Sequence, residues 1–372
     1  MTERRAVIVG NLKAGGGAAR RTHSMATMLQ CLDYSVKILR PELNRRRPPS
    51  RQELRLLAGG YLVPEALSWN VAGVASRVAA IAPKVTVLQT TRAVHPAVLA
   101  AARSSRDRDN PVVILDLVDR LSSSYRQRAS MSNPAAAAAF RCLSAAHRRF
   151  EHRICEFDGP VLAAGYTEAA SLGVSWIPIT VDQPAEQHTV DFVRRPYDAA
   201  FFGTLSYQPN IEALRVLDDW SRKIGGRHSI LVAGRRPTMR VERLCRKNGW
   251  SLVSDFPSVP WVANQARVAV APLRSTTGIQ TKVLEAGQVG LAQVVTSAAL
   301  AGMDPGVPLV GADDAHAFFR ELDRLLTGPE LVARQVESYQ QYLATNLVAE
   351  AVAPRLEKAI NDHHRPPVRR AM

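Results

Sequence analysis

Residues 268–295 read VAVAPLRSTTGIQTKVLEAGQVGLAQVV, and the local physics of this stretch decides the fold class. Val268 to Ala271 is an uninterrupted apolar run rich in β-branched side chains, the composition of a strand buried on both faces. Pro272 opens a loop that ends in the polar turn Ser275-Thr276-Thr277-Gly278, and a helix is expected over Ile279 to Gln288. A second strand, Ala292 to Thr296, follows Gly290. Strand, loop, helix and strand make one unit of a parallel sheet. A helix that starts just after Gly278 turns free N–H groups and a positive dipole end to the ligand edge of that sheet, which suits a phosphate. Lys282 in its first turn and Arg274 in the loop add cationic charge. Glu285 lies three residues on, about 4.5 Å along the axis and on the same face, where a carboxylate suits a pair of hydroxyls. Spacing alone leaves a second reading open, an exposed ion pair between helix neighbours.

The same alternation runs along the whole chain. In the first half strands are expected at Ala6–Gly10, Ser35–Leu39, Val85–Thr90, Val112–Leu117 and Pro160–Ala164, with helices at Ala18–Leu32 and Asn133–Cys155. The pattern lapses over residues 181–197, where Pro184 and Pro196 stand in a stretch without apolar periodicity, and this is expected to be a linker. Strands resume at Ala199–Phe202, Ser229–Ala233, Ser251–Ser254, Val268–Ala271, Ala292–Thr296 and Val307–Val310. Helices fall between them, and three more follow Asp313. The expected organisation is therefore α/β: a Rossmann-like domain over 1–180, a linker, a second over 198–345, and a closing helix, 346–362, that returns to the first domain. Two doubly wound sheets of this kind bind ligands at their strand carboxyl ends, here expected to face a central cleft.

Composition narrows the function classes. At 372 residues with 46% hydrophobic and 22% charged side chains the chain is globular, and its length suits two cores. Seven Lys and 41 Arg against 33 acidic residues give a net charge of +15, and the excess is concentrated before residue 190. The run Arg45-Arg46-Arg47-Pro48-Pro49-Ser50-Arg51 either attracts polyanions or is a solvated loop. No nucleic-acid motif accompanies it, so no nucleic-acid partner is expected; peripheral contact with an anionic membrane is the expected use. Cys31, Cys142, Cys155 and Cys245 lie far apart, which argues against a disulfide framework or zinc site. Ala286 to Met303 is the longest uncharged run, but its Gly, Gln, Thr and Ser read as helix, turn and strand. The expected location is cytoplasmic, extending to the inner face of the cell membrane.

Pro272-Leu273-Arg274, Gly278, Lys282-Val283-Leu284-Glu285-Ala286 and Val294-Val295 together resemble the donor-site signature of family-4, or group 1, retaining glycosyltransferases of the GT-B fold. FFGTLSYQPNIEAL (201–214), LVAGRRP (231–237) and SDFPSV (254–259) are similar to further donor-domain segments of that family. VGNLKAGGGAARR (9–21) is similar to its glycine-rich acceptor-side loop. The resemblance implies transfer of a sugar from a nucleotide-sugar donor to an acceptor hydroxyl in a glycan, lipid-linked molecule or small molecule, with retention and without metal or cofactor. Glu285 would hold the donor ribose, and Lys282 with Arg274 would neutralise the diphosphate. Gly203, Thr204, Gly234, Arg235, Thr277, Gly278, Ile279, Gln280 and Thr281 would line the donor, and Gly15, Gly16 and Gly17 would approach it from the other domain. Asp119 stands in the region after the fourth strand where relatives often carry a histidine, and is the acceptor-side catalytic candidate. With Asp116 it is placed at the mouth of the cleft, or else caps the following turn. The chain departs from the family pattern at Thr204, Thr277 and Gln280, where relatives place charged residues or glycine. These departures motivate the alternative of a GT-B-shaped scaffold that has lost turnover.

Overall fold

The computed structural model describes residues 4–10, 17–42, 48–104, 111–130, 132–184, 192–226, 228–276 and 278–362. Gly15, Gly16, Thr277 and Arg45 to Arg47 lie outside them. Contacts divide the chain into two units, Met1–Thr180 with Val352–Met372, and Val181–Ala351. Each is built on one parallel sheet.

In the first unit β1 (Arg4–Val9), β2 (Tyr34–Leu39), β3 (Val85–Gln89), β4 (Val112–Leu117), β5 (Val161–Ala163) and β6 (Ser175–Trp176) pair in the order β2-β1-β3-β4-β5-β6. β3 and β4 are buried at every residue, as strands covered on both faces must be. The connecting helices are α1 (Gly17–Cys31), α2 (Arg51–Gly59), α3 (Val71–Ile81), α4 (Pro96–Arg103), α5 (Leu121–Ser130), α6 (Pro134–His152) and α7 (Tyr166–Leu172). The two-residue β6 was not foreseen from the sequence, nor were α2, α3, α4, α5 and α7. Because β1 is flanked by β2 and β3, the chain leaves it first to one side and then to the other, which opens a crevice between the ends of β1 and β3.

One buried ion pair fixes the inner side of this unit. Arg21 of α1 and Asp116 of β4 are both 0% exposed, and Arg21 Nη2 donates to Asp116 Oδ1 at 2.8 Å. Its Nη1 donates to the carbonyls of Ile177 and Pro178 at 2.6 and 2.8 Å, so the fork ties α1, β4 and the segment after β6 together. Gln89 Nε2 reaches Asp116 Oδ2 at 3.3 Å, and the Thr22 hydroxyl donates to Gln89. A side chain at Gly10 would meet Gln89 Oε1 at 2.5 Å. Asp116 is thus part of the interior rather than of a cleft mouth, because Arg21 needs a buried counter-charge.

In the second unit β7 (Tyr197–Thr204), β8 (Ile230–Arg235), β9 (Ser251–Ser254), β10 (Ala266–Ala271) and β11 (Ala292–Val295) pair in the order β11-β10-β7-β8-β9. They alternate with α8 (Gln208–Ile224), α9 (Met239–Asn248), α10 (Val259–Gln265), α11 (Thr281–Gln288) and α12 (Ser297–Leu300). α13 (Ala315–Thr327), α14 (Pro329–Asn346) and α15 (Ala349–Asp362) follow. The strand expected at Val307–Val310 does not form. Asp304-Pro305-Gly306 and Pro308 interrupt it, Val310 is 89% exposed, and only an isolated bridge from Gly311 to Val295 remains. No helix among the described residues is long and apolar enough to cross a membrane.

The Arg21–Asp116 pair makes a testable demand. Arg21→Leu or Asp116→Leu alone leaves an uncompensated buried charge and should cost about 3–5 kcal/mol, whereas the double replacement should cost less than either single one. Urea unfolding followed on the first unit's transition reads the difference.

Candidate functional site

The strand order of the second unit puts its switch point between β7 and β10, the place where open α/β sheets take ligands. Gly203 ends the buried part of β7 there, at a φ of 144° that favours glycine. A Cβ on it would lie 3.0 Å from Asn210 Nδ2 and 3.6 Å from Lys282 Nζ. The Lys282 ammonium donates to Asn210 Oδ1 at 2.6 Å and stands 4.1 Å from the centre of the Phe201 ring. Burial pushes its pKa down to about 7, and the Glu285 carboxylate opposes that fall. The ammonium is therefore seated on Asn210 and Phe201, and Glu285 acts on it through space from one turn further along α11. Glu285 is half-buried.

Close packing holds the helix and its preceding loop in place. Thr296 Oγ1 donates to the Leu273 carbonyl at 2.6 Å, and Thr276 Oγ1 to the Ala298 carbonyl at 2.8 Å. A Cβ on Gly302 would collide with Gly278 O at 2.4 Å and Ile279 Cα at 2.5 Å, so only glycine lets the chain after α12 lie against the turn. At the other end of α11 the Tyr339 ring fills the space a Cβ on Gly287 would take, 2.2 Å away. The helix starts at Thr281, two residues later than expected. Gly278 takes a φ of 66°, Ile279 is buried, and Gln280 is the extended N-cap with no side-chain cap bond. The N–H groups of Thr281 and Lys282 thus precede the first residues that can bond back within the helix.

The remaining donor-side candidates sit around this point. Thr204 is exposed at the end of β7, and Gly234 and Arg235 pair with Gly203 and Thr204 at the end of β8. A Cβ on Gly234 would fall 2.1 Å from the Gly203 carbonyl, which sets the strand spacing. Arg235, Arg236 and Arg274 are exposed. Sequence reasoning missed Asn210, which it quoted only as part of the stretch 201–214. The available signal was Pro209, second residue of α8, which puts Asn210 third, in the helix's first turn.

In the first unit Asp119 follows the end of β4. Burial and the nearby Glu168 push its pKa up to about 7, against the pull of Arg92 and Arg128. In the same unit Glu65 is held at about 2: burial would raise it, but hydrogen bonds with His147 and Tyr125 outweigh that. His147 Nε2 lies 3.1 Å from both Glu65 oxygens, Tyr125 donates to Glu65 at 2.5 Å, and Arg92 donates to the Tyr125 oxygen at 2.7 Å. A small recess opens at the ends of β1 and β3, lined by Val9, Trp69, Val74, Val98, Arg92 and His95. His95 caps α4 and pairs with Glu53 at 3.2 Å, so its ring nitrogens are taken up by the fold. Gly17 opens α1 with free space where a Cβ would be.

Residues 196–328 match the family described as glycosyl transferases group 1. A search of the curated proteins finds no match. Among solved structures the chain is similar to a glycosyltransferase from Rickettsia africae, with TM-score 0.63 and 11% identity over 98% of this chain and 99% of that one. It is similar also to an Anabaena protein solved with UDP and glucose, with TM-score 0.59 and 12% identity over 96% and 100%. A UGT transferase from Siraitia grosvenorii solved with UDP gives TM-score 0.54 and 12% identity over 98% and 100%. At such identities the structural likeness carries the fold, and the family match lies in the second unit. The second unit thus matches the group 1 glycosyl transferases over residues 196–328, and the chain as a whole has two parallel α/β sheets of the GT-B type.

Proposed function

We propose that the chain transfers a hexosyl group from a nucleoside diphosphate sugar to an acceptor hydroxyl with retention of configuration. The observation that carries this is the Lys282 ammonium, held at the switch point of the second sheet beside Gly203 and the uncapped start of α11. Lys282 and the first-turn N–H groups meet the diphosphate where negative charge grows as the bond from sugar C1 to phosphate oxygen breaks. Arg274 and Arg235, exposed on the flanking loops, add cationic charge. Glu285 accepts from the ribose hydroxyls. The acceptor oxygen forms the new bond to C1 on the same face, and its proton passes to the departing phosphate oxygen, so no enzyme nucleophile is consumed. In the first unit Asp119, titrating near neutrality, can hold an acceptor hydroxyl in either protonation state.

Exposed Arg126 on α5 and Arg141, Arg148 and Arg149 on α6 support the further reading of peripheral contact with an anionic membrane surface, where a glycan or lipid-linked acceptor is met.

A nucleotide panel tests the donor reading. At a hundredfold excess over Kd one nucleoside diphosphate should stabilise the wild type by about 2.7 kcal/mol, several degrees in Tm. Lys282→Ala and Glu285→Ala should lose most of that shift, and a panel without any shift would remove the donor reading. Binding should also depend on pH. A bound diphosphate raises the Lys282 pKa, so the complex takes up a proton. Affinity is then full below the free value of about 7 and is lost as pH rises through it, by up to about tenfold per unit. Calorimetric titration on either side of neutrality should show this fall in the wild type and not in Lys282→Arg, whose guanidinium stays charged. For the membrane reading, the protein should co-sediment with phosphatidylglycerol vesicles and be released by salt. Equal binding to neutral vesicles would count against the basic face.

A further inference from the structure

Asn210 is 5% exposed, and both ends of its amide are used. Nδ2 donates to the Thr204 carbonyl at 2.9 Å, and Oδ1 accepts from Lys282 at 2.6 Å. The first bond dictates the second. A carbonyl can only accept, so it claims the NH2 end and leaves the oxygen, itself only an acceptor, facing the ammonium. The opposite flip would set two donors against Lys282 and two acceptors against each other. Asn210 is placed for this by Pro209 in the first turn of α8 and by its own N–H, which bonds the Tyr207 carbonyl at 3.0 Å. Gly203 completes the arrangement, since a Cβ there would crowd the amide from 3.0 Å.

We propose that Asn210 is a positioning residue of the donor site: it locks the turn at Gly203–Thr204 to the Lys282 ammonium and so presents that charge to the diphosphate. The inference rests on the donor reading above for the identity of the anion, but not for the hold on Lys282. Phe201 from β7 and Asn210 from α8 bring no charge to the ammonium, and Glu285 from α11 is the charged group that acts on it. Asn210 therefore decides how readily Lys282 keeps its proton. Leucine would leave the ammonium without its oxygen, and aspartate would replace a neutral acceptor by a carboxylate.

The test follows the lysine itself and then the nucleotide. Wild type, Asn210→Leu and Asn210→Asp are labelled with 13C-lysine, and the ε-methylene shifts of the seven lysines are followed against pH, with Lys282→Arg assigning the resonance. The midpoint should fall in Asn210→Leu and rise by a unit or more in Asn210→Asp. UDP, GDP and ADP are then titrated at pH 8, where affinity of the nucleotide that binds should drop about tenfold in Asn210→Leu. A merely structural asparagine would change Tm and leave the midpoint where it is in both variants, and that result overturns the proposal. Should the midpoints move while none of the nucleotides binds the wild type, the hold on Lys282 stands and the donor reading falls. Asn210→Asp nearly preserves the shape of asparagine, so the titration stays readable even where Asn210→Leu fails to fold.

Discussion

An ammonium drawn out of water must be compensated, and the second unit compensates one only in part. Lys282 has an amide oxygen, an aromatic face and a carboxylate one helical turn away, which is enough to seat the group and too little to keep it fully charged above neutrality. The deficit is what a diphosphate would fill. Much else in this unit serves that geometry: glycine at the end of β7, a helix that begins late, and a loop tied down at Leu273 and Thr276.

The first unit treats its buried cation in the opposite way. Arg21 has a carboxylate and two backbone carbonyls, all within hydrogen-bonding distance, and nothing is left for a ligand. Such a group specifies how α1 sits on the sheet. The contrast separates two settings of a cation in one chain, one fully paired, the other only partly compensated.

Much of this was legible in residue order. The apolar runs that became β4, β8 and β10 are continuous because parallel strands are covered on both sides, and their ends were placed to within two residues. That Lys282 and Glu285 share one face of α11 was legible from helix spacing. Asn210 was not, since its role depends on a carbonyl six residues earlier and an amine seventy-two residues later, a juxtaposition that only the folded sheet creates. The helix start at Thr281 escaped for a similar reason: Ile279 is an adequate helix former, and only its burial beside Gly278 and Gly302 holds it out of the helix. At Val307–Val310 a β-branched composition outvoted Pro308 in the sequence, and in the fold the proline prevails.

Gly302 touches no proposed ligand, yet its missing methyl is the clearance that admits the Gly278 turn. A single added carbon there would push on the start of α11 from behind, so the first turn of the helix is answerable to a position twenty residues downstream of Lys282. Such a change would displace the start of α11 while every side chain around Lys282 stayed the same.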